Sequence, residues 1–341
     1  MRRLTRTRIA GVRRARGRIA RTVVAAVLTA SAVAGTAGWV SGAGQRPVTG
    51  PPVGTAAWRA AGLPDPERMT PDQIAQYFEG LGLRRQQELV RSHPDVVGNL
   101  DGAPVAVRYA ANARTAGARF AGRQVLAYDP RGRGQAVLVY GDLGTARNVA
   151  VVVPGSDVDA GNLASLTRKA TALRGAAGAR TAVVAWAGYT TPVGVGLDAA
   201  GGELAEAGAD RLARFTDGLR AVGAASPALF CHSYGSVVCG LAAPRLAARD
   251  LVAIASPGMR ADTAADLGTT ARVWAAKDPT DWIDLVPAVE FAGLGHGADP
   301  AGPGFGARPV PAADARGHDG YFAPGTASLR AFAAIADGAA R

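Results

Sequence analysis

Apolar positions change their period along the chain, and the changes mark out its elements. Thr70-Pro71-Asp72-Gln73 reads as a capping residue followed by proline at the first helical position. Ile74, Tyr77, Phe78 and Leu81 then recur at helical spacing. Further helical stretches are expected over residues 84–91 and 105–118. Beyond Gly122, short apolar runs alternate with helical segments. Residues 124–128 and 135–140 flank the turn sequence Asp129-Pro130-Arg131-Gly132-Arg133-Gly134 and predict a hairpin. Buried strands are expected at 148–153, 181–186, 228–231, 251–255, 272–276 and 307–311. Helices are expected at 162–173, 202–222 and 234–243, with another at the carboxyl end. Strands and helices alternating at these lengths argue for a mostly parallel central sheet with helices on both faces.

Before Thr70 the pattern is different. Residues 22–40 form an uncharged, moderately apolar run, just long enough to span a bilayer at about 20 residues. Nine arginines and no acid precede it within residues 1–21. This reads as an export signal or membrane anchor over residues 1–40, with cleavage and retention both open. The residues after Arg13-Arg14 lack the apolar pair of a twin-arginine signal. An extracytoplasmic location is therefore expected, with membrane attachment through residues 22–40 if the segment is kept. A Gly/Pro-rich linker over 41–65, with no regular structure expected, leads to the helical preface over 66–120 and the main domain over 121–341.

Charge changes the picture less than its total suggests. The net charge is +11, but outside those nine arginines 29 basic residues face 27 acidic ones. A nucleic-acid binder carries its basic stripe on folded elements, so nucleic acid is not an expected partner. The four histidines and two cysteines show no metal-ligand spacing, and no glycine-rich phosphate loop precedes a lysine; no metal or cofactor is expected. Cys231 and Cys239 are read as two buried thiols, although an exported protein could pair them.

The chemistry concentrates in Leu229-Phe230-Cys231-His232-Ser233-Tyr234-Gly235-Ser236. A buried strand runs straight into a helix with a serine at the junction, the setting of a nucleophile elbow. Gly235 meets the steric demand two residues after the serine. Cys231 stands where glycine is usual two residues before it. Partners should follow in the order acid, then histidine. His93 lies in the preface, and His232 sits inside the elbow and is expected to point away from the nucleophile. His318, in a Gly-flanked loop after the last strand, is the expected general base, with His296 the runner-up. Asp281, anchored by Trp282-Ile283, is favoured as the orienting acid over Asp278 and Asp284. The oxyanion hole is expected at the amides of Tyr234 and Ser156, the latter in Pro154-Gly155-Ser156-Asp157.

These residues resemble a family of uncharacterised, mainly actinobacterial α/β-hydrolases with a GHSYGS elbow. The similarity runs from Thr70 to the carboxyl terminus. It includes Asp95-Val96-Val97-Gly98-Asn99-Leu100-Asp101-Gly102, Arg108, Asn112, Trp186-Ala187-Gly188-Tyr189, Ser256-Pro257-Gly258, Gly295-His296-Gly297 and Gly320-Tyr321-Phe322. The resemblance implies the α/β-hydrolase fold and a Ser233–Asp281–His318 triad, and brings no agreed substrate. The expected activity is hydrolysis of a small-molecule or lipid carboxylic ester. A peptidase, thioesterase or acyltransferase would use the same triad, and a non-catalytic exported binding protein could share the fold. Only about fifteen residues separate the strands at 251–255 and 272–276, too few for a large lid there.

Overall fold

The computed structural model describes residues 44–287, 289–291 and 294–340. The arginine-rich segment, the apolar run at 22–40 and the start of the linker lie outside the described residues. Among the described residues, no helix is long and apolar enough to cross a membrane.

Six strands of near-continuous Val, Ala, Leu and Ile form the centre of an eight-stranded sheet. These are β2 (Gln135–Tyr140), β3 (Asn148–Val153), β4 (Thr181–Ala187), β5 (Ala228–His232), β6 (Asp250–Ile254) and β7 (Arg272–Ala276). They are apolar on both faces because helices cover both, as parallel sheets require. β1 (Gln124–Asp129) makes the expected hairpin with β2 at one edge. Another hairpin, β8 (Glu290–Phe291) and β9 (Leu294–Gly295), stands apart, and β10 (Arg308–Val310) closes the opposite edge. The order is β1-β2-β4-β3-β5-β6-β7-β10, with β2 antiparallel to both neighbours and β4 to β10 mutually parallel. This is the α/β-hydrolase fold.

The preface contains α1 (Thr55–Ala60), α2 (Pro71–Glu79), α3 (Leu83–Ser92), α4 (Pro94–Val97) and α5 (Val105–Thr115). Thr70 caps α2 as the sequence suggested, and the Gln73 side chain returns a bond to the Thr70 amide. The segment read as a linker is not wholly irregular. Thr55–Ala60 is helical, and Trp58 is buried with Ile74, Phe78, Leu89, Val96 and Val97 in a small core of the preface's own. Gly/Pro content signals the turns there but hides Trp58 and Leu63, which pack into that core.

In the main domain, α8 (Glu203–Ala221) and α9 (Gly235–Ala242) cover one face of the sheet. The other face is covered by α6 (Ala164–Ala177) and α10 (Ala327–Ala336). The short α7 (Leu197–Ala200) interrupts the loop after β4. The preface docks through motif residues that sequence reading left without a role. Asn99 exchanges two hydrogen bonds with the Tyr128 backbone, and the Asn112 side chain donates to the carbonyls of Gly98 and Val125. Arg108 pairs with Asp101 at 3.0 Å.

Candidate active site

β5 delivers the chain to Ser233 with its carbonyls and amides spent on β3 and β6, so the turn that follows is forced into little space. Ser233 takes φ 55°, in the left-handed region. A non-glycine residue held there costs about 1–3 kcal/mol and persists only where its surroundings fix it. The surroundings do so here. The Ser233 amide donates to the Ile254 carbonyl at 2.9 Å, and its carbonyl accepts from the Ser236 hydroxyl at 2.6 Å. The Ser236 hydroxyl also meets that of Ser256 at 2.6 Å. A Cβ at Gly235 would come within 2.6 Å of the Val153 and Pro154 carbonyls, and one at Gly155 within 2.6 Å of Ser233 Cβ. Both glycines let the elbow and the loop after β3 touch.

Cys231 and Cys239 form a disulfide that ties the end of β5 to α9, which corrects the reading as free thiols. Their eight-residue spacing concealed that the elbow turns the chain back on itself. Closing so short a loop contributes about 2–3 kcal/mol in the chain-entropy account. The bridge occupies the position where cysteine replaces the usual glycine.

Asp281 and His318 meet from two loops beyond β7 and β10. His318 Nδ1 lies 2.9 Å from Asp281 Oδ1, and since the ionised carboxylate only accepts, the imidazole donates from Nδ1. Asp281 also accepts from the Ile283 amide (3.0 Å) and, at Oδ2, from the Tyr321 hydroxyl (2.7 Å). Burial works against the charged carboxylate, but these hydrogen bonds, led by that of His318, outweigh it and hold its pKa below the usual range. The Tyr321 hydroxyl in turn accepts from the Asp278 amide at 2.8 Å. Burial keeps this phenol well above its ordinary pKa, so it remains a donor. Asp278 is the turn former expected of it, receiving Thr280 and the Arg316 amide. Asp284 ion-pairs with Lys277. Trp282 packs against the His318 ring, tilted by 38° with centroids 4.5 Å apart, while remaining 41% exposed.

His232 does not simply turn away. Its ring lies 4.9 Å from that of His318, and its Nε2 is 2.7 Å from the His318 carbonyl. It therefore fixes the backbone of the histidine loop from beneath. Burial, with Lys169 and His318 nearby, drives its pKa well below the ordinary value, so it acts as a neutral donor. Lys169 reaches the same loop through Asp319 at 2.6 Å. His296 lies elsewhere: its ring packs edge-on against Tyr234, and its carbonyl accepts from the Arg260 amide at 2.7 Å. It braces two loops and receives no carboxylate among the described residues. His93 packs its ring on Trp58 in the preface.

On the other side of Ser233, the loop after β3 is held from behind. The Tyr189 hydroxyl donates to the Pro154 carbonyl at 2.8 Å. Asp157, at φ 63°, spends its amide on the Pro192 carbonyl and its carboxylate on the Gly194 amide. Among the described residues the amides of Ser156 and Tyr234 have no hydrogen-bond acceptor. Sequence reading did not anticipate the hydrogen bonds that Tyr321, Tyr189 and His232 make to these loops. Gly320-Tyr321-Phe322 beside His318 was the available signal.

A family model described as "Alpha/beta hydrolase" matches residues 129–291. Uncharacterised proteins from two strains of Mycobacterium tuberculosis, CDC 1551 / Oshkosh and ATCC 25618 / H37Rv, are 28% identical over 391 aligned positions covering 86% of this chain. The chain spans 57% of the length of those relatives. Among solved structures, a Xanthomonas campestris a/b serine hydrolase without a lid aligns at 21% identity and a TM-score of 0.37, covering 60% of this chain and 88% of its own. The esterase domain of a Rhodothermus marinus protein aligns at 14% and 0.34, covering 61% and 92%. In strand order and pairing sense the chain has the α/β-hydrolase fold, and over residues 129–291 its sequence is similar to that alpha/beta hydrolase family.

Proposed function

We propose that the chain is an exported serine hydrolase that cleaves carboxylic esters, with Ser233 as nucleophile, His318 as general base and Asp281 as the orienting acid. The observation that carries the reading is the Asp281–His318 pair at 2.9 Å, in a loop that His232 fastens to a strained Ser233. With Nδ1 committed as a donor, Nε2 of His318 is the nitrogen left to take the serine proton. Ser233 Oγ then attacks the acyl carbon, and the ester carbonyl becomes an oxyanion that the free amides of Tyr234 and Ser156 receive. As the tetrahedral intermediate collapses, the alcohol leaves with the proton from His318. Water, deprotonated by the same imidazole, releases the acid and restores the serine.

The surroundings favour an apolar acyl group. Of the large apolar side chains left exposed, Val193 and Leu197 lie on the loop that the Asp157 carboxylate grips, and Trp282, Leu285 and Val289 follow the acid. Export rests on the arginine-led apolar run at residues 1–40 and fits a disulfide, which persists in oxidising compartments. A panel of p-nitrophenyl esters of increasing chain length tests the reading. Ser233-dependent turnover that rises from acetate to medium chains is expected, and turnover that Ser233→Ala leaves intact would refute it. Thioester and anilide analogues in the same panel separate the other acyl chemistries.

A further inference from the structure

A cavity of about 570 Å³ lies away from Ser233. It lies between the preface, α8 and the β1–β2 edge of the sheet, and neither Ser233, Asp281 nor His318 lines it. Its walls hold four arginines and four acids, but these are not all each other's partners. Arg108 pairs with Asp101 and Arg131 with Asp129 within the wall. Glu67 and Asp210 are instead taken by Arg59 and Arg245, which do not line the cavity. Arg211 and Arg214, three residues apart on α8, therefore make no direct ion pair among the described residues, although Asp101 and Asp129 act on Arg211, and Asp217 on Arg214, at longer range. The Arg211 Nε donates to the Gly188 carbonyl, and Arg214 Nη2 to those of Pro66 and Met69. Carbonyls orient a guanidinium but do not neutralise it. Desolvation lowers the Arg211 pKa, so its charge is held there at a cost.

A second observation comes from β2, at a residue that lines this cavity and also a much smaller neighbouring one. Gln135 is 3% exposed, and among the described residues neither its Oε1 nor its Nε2 has a hydrogen-bond partner. A buried amide left wholly unpaired is rare and calls for a reason. Trp186 and Phe215, whose rings lie 6.1 Å apart, add apolar lining to the cavity.

We propose that this cavity binds a small oxyanion-bearing molecule, a carboxylate or a phosphate, through the guanidinium groups of Arg211 and Arg214 and the amide of Gln135. A guanidinium offers its remaining N–H groups as a fork that matches two oxygens of either anion. The Gln135 amide can donate to a third oxygen or a neighbouring polar group of the ligand. The aromatic wall accepts a short apolar body, which a carboxylic acid carries and inorganic phosphate does not.

Isothermal titration calorimetry on the full chain tests this, with hexanoate and inorganic phosphate as separate probes. One saturable site for at least one probe is expected in the wild type and, with unchanged affinity, in Ser233→Ala. Tighter hexanoate identifies a carboxylate site, and tighter phosphate a phosphate site. Arg211→Gln and Arg214→Gln, each checked for native circular dichroism, should each weaken binding about tenfold or more. The proposal is overturned if neither probe binds by about 10 mM, or if both folded arginine variants bind as the wild type does. It is also overturned if Ser233→Ala alone abolishes binding, since the probe would then be occupying the hydrolytic site. Because binding is read without turnover, an absence of esterase activity leaves this test unaffected.

Discussion

The elbow region and the cavity behind the preface are built in opposite ways. Around Ser233 and His318, side chains from two elements and two loops spend their polar atoms within the site: Asp281 on His318 and Tyr321, His232 on the His318 carbonyl, Ser236 on the Ser233 carbonyl. Around Arg211 the wall leaves, among the described residues, an amide unpaired and two guanidiniums without a direct ion pair. The first arrangement fixes a geometry in advance, which is what proton transfer within hydrogen-bond distance demands. The second keeps polar capacity unspent, which suits a molecule that arrives from outside. Substitutions should therefore cost rate in the first region and little but ligand affinity in the second.

The largest effect expected is that of Asp281→Asn. Its amide cannot hold the donor tautomer of His318, and kcat should fall by about 10⁴ with little change in fold. A loss under about tenfold would mean that the pair is structural. Tyr321→Phe removes the donor to Asp281 Oδ2 while keeping the ring. A kcat lower by about 10–100-fold at similar KM is expected, by analogy with partners that orient a working group from behind. If instead only thermal stability falls, Tyr321 supports the loop and not the carboxylate.

Acid distinguishes the regions by stability. His232 and His296 are both neutral in the fold, with pKa values driven below the 6.5 of a free histidine, that of His296 down to about 4 by burial and then by Arg260. Their folded pKa values are depressed, so the contribution of the neutral rings is complete above pH 6.5. It is lost as pH falls through that value toward the folded pKa. Calorimetry should show Tm declining between about pH 6.5 and about pH 4, with a shallower decline in His296→Asn. Asp281 acts in a lower window, since its contribution persists above 3.8 and fades only below it. A Tm flat across the histidine window would contradict the burial argument.

The smallest effect belongs to Gln135→Leu. Removing both unpaired amide atoms should leave ester turnover unchanged and raise apo stability by up to about 1 kcal/mol, since among the described residues nothing is bonded to them. Destabilisation by more than about that amount would show that the amide has a role in the wall itself.

Much of the main domain was legible because its elements speak locally. The continuous apolar run Asn148–Val153 and the strand-to-helix junction at Ser233 carry their own signals, and chain order then pointed to Asp281 and His318. What stayed hidden depends on approach between distant residues. Tyr321 reaches Asp281 across forty positions, His232 reaches the His318 carbonyl across 86, and Tyr189 reaches Pro154 across 35. The Cys231–Cys239 bridge was open to either reading, because spacing does not reveal that the elbow folds the chain back. Trp58 and Leu63 were lost in a Gly/Pro-rich stretch whose turn signals outweighed them. The cavity is invisible for a related reason: Gln135 and Arg211 lie on a strand and a helix that only the docked preface turns into walls.

The central claim is that Ser233 is an activated nucleophile, and reaction of the purified, folded chain with a fluorophosphonate probe tests it most directly. The wild type should acquire one probe per chain, located by mass spectrometry on Ser233, while Ser233→Ala stays unlabelled and Asp281→Asn labels far more slowly. A folded wild type that takes no label, or takes it equally with Ser233 removed, would contradict the account.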